Sequence, residues 1–546
     1  MRKVWWRALR EIYFTVDPRS LGAFRIALAL VLLLDLARRW AELSFWYVNT
    51  GLLPNHTLLW RPPAKHLFSL FFGVSNPAEA HVGFALCAIV YVLFLVGYRT
   101  RWVHLLVLVA RVSLNTRLAV VENGGDMVMN LLCLLTLPLP LGARFSLDAV
   151  ALARNEQRAT GLVAPLPHFV PERARHPIVS LAVLGLLLQF AFIYFFNAAS
   201  KDGSAWKDGS AVHYALHQDK LVTWTGVWMR EHLPPLAIRG LTRSVLVTEW
   251  AAFLLIITPF NWREARLVAV CVLPALHLGF ALGLNLGGFS PAMMSFYPLL
   301  LASKHWDALE HRFGGRAARV WARFEQRFGR ALNELRPPTE WRRPELRQAL
   351  WNGAIALMLV AIASEVLIDN GPVPKALRLP QPAWAKAVIE YPRVLQGWRM
   401  FASEPSRTDS MIYVDATTAE GAHVDPYNAV ASDQLNPAGG VVPRHMGQSQ
   451  FFVMFSDRIA TGYFAPYRQA FSEWLLAYPD RTGKPRDCLL AYDVYLVTDH
   501  SPGFGSNEPP RPAQRERFMT YSAPADSPCR EVKKMPSSTN VASSGL

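Results

Sequence analysis

The stretch Gln189-Phe-Ala-Phe-Ile-Tyr-Phe-Phe-Asn197-Ala-Ala-Ser-Lys201-Asp-Gly-Ser-Ala-Trp206-Lys-Asp-Gly209 decides how the chain is read. An aromatic apolar run ends at Asn197, a single lysine follows, and a turn with Trp206 and Gly209 carries the chain away. Taken with Ile178 to Leu188, the run has the roughly 20 apolar residues that cross a bilayer. Lys201 therefore falls at a membrane boundary beside aromatic surface. A lysine desolvated there loses preference for its charged form and can act as a base or nucleophile. The alternative is a lysine that snorkels to the interface from a helix end.

Composition extends this reading to the whole chain. Of 546 residues, 52% are hydrophobic, and the mean hydropathy is +0.16, too apolar for an ordinary soluble protein. The net charge of +15 is not spread evenly. From Gly371 onward, 18 Lys/Arg face 17 Asp/Glu. The basic excess lies in short segments between apolar runs, which is a positive-inside membrane pattern and not a nucleic-acid footprint. Cys87, Cys133 and Cys271 lie in apolar runs as small hydrophobes, and no CxxC pair occurs, so no metal is expected. No cleavable signal is expected either, because Arg25 and Asp35 interrupt the first apolar run.

Apolar runs at 21–37, 82–97, 102–121, 127–141, 177–197, 245–260, 267–284, 291–303 and 350–368 suggest an all-α polytopic membrane helix bundle of about nine spans. Arg25 and Asp35 in the first run form a candidate intramembrane polar pair. Trp40, Trp46, Tyr47 and Trp60 suit an interface belt. Residues 306–349 form a basic segment, and Trp306, Leu309, Phe313, Val320, Phe324 and Phe328 are spaced for an amphipathic helix on the membrane. With the N-terminus cytoplasmic and the spans alternating, the cytoplasmic segments carry more than twice the Lys/Arg of the opposite ones. That orientation brings Asn123–Asp126, Lys201 and Asn285–Ser290 to the outer face. After the last span (350–369), residues 371–500 read as a small α+β extracytoplasmic domain. It contains a strand, turn and strand over 411–425, helix over 451–478 and a strand over 489–497. Residues 501–546, rich in Pro, Ser and charge, read as a flexible tail. Cys488 and Cys529 are a possible disulfide, with two free thiols as the alternative.

Several separated motifs resemble one family. Asp17-Pro18-Arg19-Ser20 with Phe24-Arg25-Ile26 and Asp35, Gly97-Tyr98-Arg99-Thr100, Asn123-Gly124-Gly125-Asp126 and Leu141 to Asp148 occur in order. Lys201 with Trp206 and Gly209, and His277 to Gly287 with Phe289-Ser290, continue the series. Over residues 10–305 the chain resembles the vitamin K-dependent γ-glutamyl carboxylase and its bacterial relatives, the horizontally transferred transmembrane (HTTM) domain family. Trp398-Arg-Met-Phe401 resembles the linker into the C-terminal domain of bacterial members.

The resemblance implies a lyase-type carboxylase in the cytoplasmic (inner) membrane of a bacterium. Its cofactor would be a reduced vitamin K, a menaquinol-type quinol, with O2 and CO2 as co-substrates. It also implies a peptide or protein substrate at the outer face, among membrane lipid. Lys201 aligns with the family's base and His277 with its helix histidine, while Asp126 would orient Lys201 or serve as an acid. Asn123, Asn197, Trp206 and Phe289 would line the substrate pocket. One departure stands out: where the carboxylase has Asn-Asn-His-Ser this chain has Asn123-Gly124-Gly125-Asp126, so the assisting histidine is absent. Three bland readings stay open beside these: His277 as a satisfied core histidine, Asn123–Asp126 as a mere turn, and the whole chain as a non-catalytic lipid- or quinone-binding scaffold. A transporter is disfavoured, since nothing resembles an inverted repeat.

Overall fold

The structure is a computed structural model. It describes residues 2–60, 62–161, 175–335, 337, 345–431, 449–506 and 511–534. The main helices are α1 (Pro18–Ala41), α2 (Pro77–Val96), α3 (Thr100–Arg117), α4 (Gly124–Thr136), α5 (Leu181–Ala199) and α6 (Pro235–Ile257). They continue with α7 (Trp262–Gly283), α8 (Phe289–Phe296), α9 (Ser303–Glu334) and α10 (Glu345–Asp369). Six of them, α1, α2, α5, α6, α7 and α10, are long and apolar enough to cross a membrane.

Among the described residues, the expected count of about nine spans is not confirmed. Helix α3 carries Arg101, Arg111 and Arg117 and lacks the hydropathy of a lipid-facing span. Helices α4 and α8 are too short: at about 1.5 Å per residue they reach about 20 and 12 Å, against a hydrocarbon thickness of about 30 Å. Both are largely buried. Their N-terminal ends meet, and glycine makes the approach feasible. A Cβ on Gly125 would stand 2.5 Å from the Phe289 backbone nitrogen.

Interlocking loops hold the opposite end of the bundle. Asp148 accepts the Arg99 and Thr100 backbone N–H groups at 2.8 and 2.7 Å, capping α3. Gly97 ends α2 with φ of +70°, and a Cβ there would stand 2.5 Å from Arg25 Nη1. Arg25 donates to the carbonyls of Leu95 and Leu141 at 3.2 Å and Phe145 at 2.5 Å. The expected Arg25–Asp35 pair is therefore corrected. Ten residues separate the two along α1, about 15 Å of helix, so they serve different ends of the bundle.

Two further expectations change. Trp46 and Tyr47 are not interfacial but fully buried. Trp46 packs on Phe451, Phe452 and Phe455 of α11 (Gln450–Ile459). Nor is the chain beyond residue 501 simply a tail. The C-terminal sheet contains β1 (Thr408–Thr418), β2 (His423–Asp425), β3 (Val430–Ala431), β4 (Leu489–His500) and β5 (Gln514–Ser522). All pairings are antiparallel, in the order β3-β2-β1-β4-β5. Strand β5 is an exposed edge, and its charged residues Arg515, Glu516 and Arg517 gave the segment a loop-like composition while protecting that edge. A Cys488–Cys529 disulfide ties the segment after β5 to the start of β4. Residues 507–510 and 535–546 of the expected tail lie outside the described residues.

The Pro-rich connection after α10 does not hang free. Val394, Gln396 and Trp398 are buried. Gln396 Oε1 accepts from Gln189 of α5 at 2.7 Å and from Trp398 Nε1 at 2.8 Å. The C-terminal domain is thus anchored onto α5.

Candidate functional site

Lys201 leaves the end of α5 and turns inward. Its side chain is 2% exposed, and its Nζ donates to both carboxylate oxygens of Glu249 at 2.5 Å. The amine also lies 4.9 Å from the centroid of the Trp206 ring. It does not snorkel. Burial pulls the Lys201 ammonium below its ordinary range, opposed by the Glu249 carboxylate. Trp206 is held by a hydrogen bond from its Nε1 to the Phe401 carbonyl at 3.1 Å. Asn197 Oδ1 accepts the Met400 N–H at 2.9 Å. Asn197 therefore anchors the 398–401 linker over the lysine.

Glu249, in the middle of α6, is the residue that sequence reasoning missed. The signal was present: a lone carboxylate within the apolar run 245–260 has to find a partner. Asp126 was the expected orienting group, and this is corrected. Its Oδ1 accepts from Arg39 Nη2 at 2.5 Å and Arg111 Nη2 at 2.6 Å, and its Oδ2 accepts the Asn123 N–H at 3.1 Å. As the third residue of α4 it closes a capping box with Asn123, whose side chain accepts the Gly125 N–H at 2.9 Å. Asn123 is consequently a helix cap.

Asp126 belongs to a second buried site. Asp35 accepts from Arg39 Nε at 2.6 Å, Arg111 Nη1 at 3.1 Å and Arg38 Nη2 at 2.8 Å. Two carboxylates and two buried arginines thus cross-link α1, α3 and α4. Phe451 of the C-terminal domain lies 4.9 and 4.8 Å from the guanidinium carbons of Arg38 and Arg39.

His277, on α7, is buried beside the lysine site. Its Nε2 is 2.9 Å from the Tyr194 hydroxyl, which is 2.7 Å from the Tyr297 hydroxyl. Its Nδ1 is buried without a partner among the described residues. Phe289 and Phe280 flank the imidazole at 5.7 and 5.8 Å between ring centroids. Phe280 also packs against the cluster containing Trp206, which joins the histidine and lysine sites. Lys201 and Tyr194 are delivered by α5, Glu249 by α6 and His277 by α7. The structure therefore brings Lys201, Trp206, His277 and Phe289 into one neighbourhood and leaves Asp126 and Asn123 in the arginine site.

Chemically, the first group can hold and move a proton between a lysine and a glutamate in apolar surroundings. In the second, each carboxylate is held by charge-assisted hydrogen bonds from two or more arginines. Among the described residues, no three His, Cys, Asp or Glu side chains are placed to hold a metal ion. Comparison of the chain with protein families, with curated proteins and with solved structures returns no match.

Proposed function

We propose that this integral membrane protein belongs to the HTTM domain family and works as a carboxylase-like enzyme, with Lys201 as the base toward a quinol at the outer membrane face. The observation that carries the reading is the buried Lys201–Glu249 pair over Trp206. In water-poor surroundings each ion of such a pair loses hydration, so transfer of the Nζ proton to a Glu249 oxygen becomes competitive. That transfer leaves the neutral amine a general base requires. Tyr194, between His277 and Tyr297, holds a proton at its hydroxyl oxygen that it can give to either neighbour.

The residues fit an aromatic dihydroxy ligand. Trp206, Phe280 and Phe289 offer ring faces, and His277 Nδ1 is an unused polar atom among them. A reduced vitamin K of the menaquinol type would supply, with O2, the strong base that removes a γ-proton from a substrate glutamate, and CO2 would add to the carbanion left behind. Trp206 and Phe289 exclude water from the neighbourhood of Lys201 and His277. The positive-inside loops and the Cys488–Cys529 disulfide support a cytoplasmic N-terminus and an extracytoplasmic C-terminal domain in the inner membrane.

One observation favours the second reading, a non-catalytic lipid- or quinone-binding scaffold. Gly125 stands where the carboxylase has its assisting histidine, and the Gly288–Phe289 backbone leaves no room there for a side chain. The deciding experiment is quinol turnover by detergent-purified protein supplied with reduced vitamin K and oxygen. Epoxide from wild type and none from a folded Lys201→Ala variant is the expected result. Equal epoxide from both would remove Lys201 from the mechanism, and quinol binding without conversion would establish the scaffold.

A further inference from the structure

Arg117, the last residue of α3, is completely buried, and among the described residues none of its three guanidinium nitrogens has a hydrogen-bond partner. Arginine does not shed its proton at accessible pH, so burial cannot be relieved by neutralisation as it can for lysine. A buried charge in this condition calls for a counter-charge.

The surrounding groups do not provide one. Arg117 lies within electrostatic range of the Tyr47 hydroxyl. That hydroxyl accepts from Arg39 Nη1 and donates to the Leu114 carbonyl, both at 3.0 Å. Asp35 and Asp126 are already engaged by Arg38, Arg39 and Arg111. Glu122, in the turn after α3, is bound by Arg393. Among the described residues, buried acceptors without partners are present too, the Asn115 amide oxygen and the Thr116 hydroxyl among them, but they are neutral. Arg111 Nε and the Tyr91 hydroxyl, which lies in range of both Arg111 and Asp35, are buried without acceptors. So is the side-chain amide nitrogen of Asn123 at the start of α4. What this end of the bundle lacks is an acceptor carrying negative charge.

We propose that Arg117 anchors a buried site for a small planar monoanion of the carboxylate or bicarbonate class. The planar guanidinium fork presents parallel N–H groups to two oxygens of such an ion, a match that a spherical halide does not make. A single negative charge balances the one fully buried guanidinium that Asp35 and Asp126 leave unmet. The proposal is independent of the carboxylase-like reading, because the site shares no residue with the Lys201 pair.

The test is thermal unfolding of the full-length detergent-purified protein at fixed ionic strength, in a bulky sulfonate buffer, with formate, bicarbonate or chloride added. Preferential binding to the folded state raises Tm with the logarithm of anion concentration, by about 1 °C per tenfold beyond saturation. Formate or bicarbonate is expected to give that rise, chloride less than half of it, and which of the two oxyanions acts at lower concentration identifies the source. Arg117→Met is expected to abolish the dependence, and Arg117→Lys to keep a rise while losing the preference over chloride. Lys201→Ala retains the full wild-type response. A wild-type Tm indifferent to all three ions, or an equal response in Arg117→Met, overturns the proposal. Should Arg117→Met fail to fold, the wild-type series and Arg117→Lys decide it.

Discussion

The Asp35–Asp126 site and the Lys201–Glu249 pair are both buried ionic sites in one helix bundle, and they are built on opposite plans. In the first, each carboxylate takes hydrogen bonds from two or more arginines, and three helices are braced through it. No proton can move without breaking several charge-assisted bonds at once, and arginine does not release one. In the second, one lysine meets one glutamate, both of which can become neutral, beside a tryptophan and a histidine–tyrosine chain. A cross-linked lattice suits architecture. A solitary titratable pair suits chemistry.

The contrast can be broken most decisively by removing one partner from each site. Arg39→Ala leaves Asp35 and Asp126 short of charge in the interior and is expected to cost about 3–5 kcal/mol, measured by denaturation in detergent. Gly125→Ala drives a Cβ into the Phe289 backbone where α4 meets α8 and is expected to cost about 2–3 kcal/mol by overpacking. Lys201→Met should cost less than Arg39→Ala, about 1–3 kcal/mol, because Glu249 can take up a proton. Adding Glu249→Gln should recover most of that loss. If Lys201→Met proves as damaging as Arg39→Ala, or the double variant recovers nothing, the distinction between the two sites collapses.

An effect similar in size to that of Lys201→Met is expected in the sheet domain. Asp425 accepts four hydrogen bonds, from the Val414, Tyr427 and Asn428 N–H groups and from the Asn428 side chain. Burial nevertheless pushes its carboxyl up to about 6. Because the folded value is raised, protonation favours the folded domain. That contribution is fully present below the free carboxyl value of about 3.9 and is lost as the pH rises through 6. Asp425→Asn should flatten this part of the Tm–pH profile, a change of about 1–3 kcal/mol across the window. An unchanged profile would assign the four hydrogen bonds the dominant role.

Much of the fold was legible because continuous apolar runs need no partner to be recognised. Six of the nine expected spans correspond to helices of membrane-crossing length and apolarity. The other three, α3, α4 and α8, are not confirmed as spans: α3 carries three arginines, and α4 and α8 are short apolar helices largely buried in protein, a burial that an apolar run alone does not distinguish from burial in lipid. Lys201, Trp206 and His277 stand out in the sequence because each is an unusual residue within an apolar run or just beyond its edge. Glu249 was equally unusual and was passed over. Strand β5 was lost because a charged edge strand has the composition of a loop.

By itself, the sequence determined the membrane class, the main spans and the residues too polar for their surroundings. Those follow from local transfer free energies, summed along one segment at a time. The tertiary structure decided who pairs with whom: Lys201 with Glu249 and not Asp126, Asp35 with Arg39 and Arg111 and not Arg25, and Arg117 with no hydrogen-bond partner among the described residues. Pairing depends on the rotation and depth of each helix against its neighbours. Those are set by packing between segments far apart in the chain, where a ten-residue offset along a single helix already means about 15 Å.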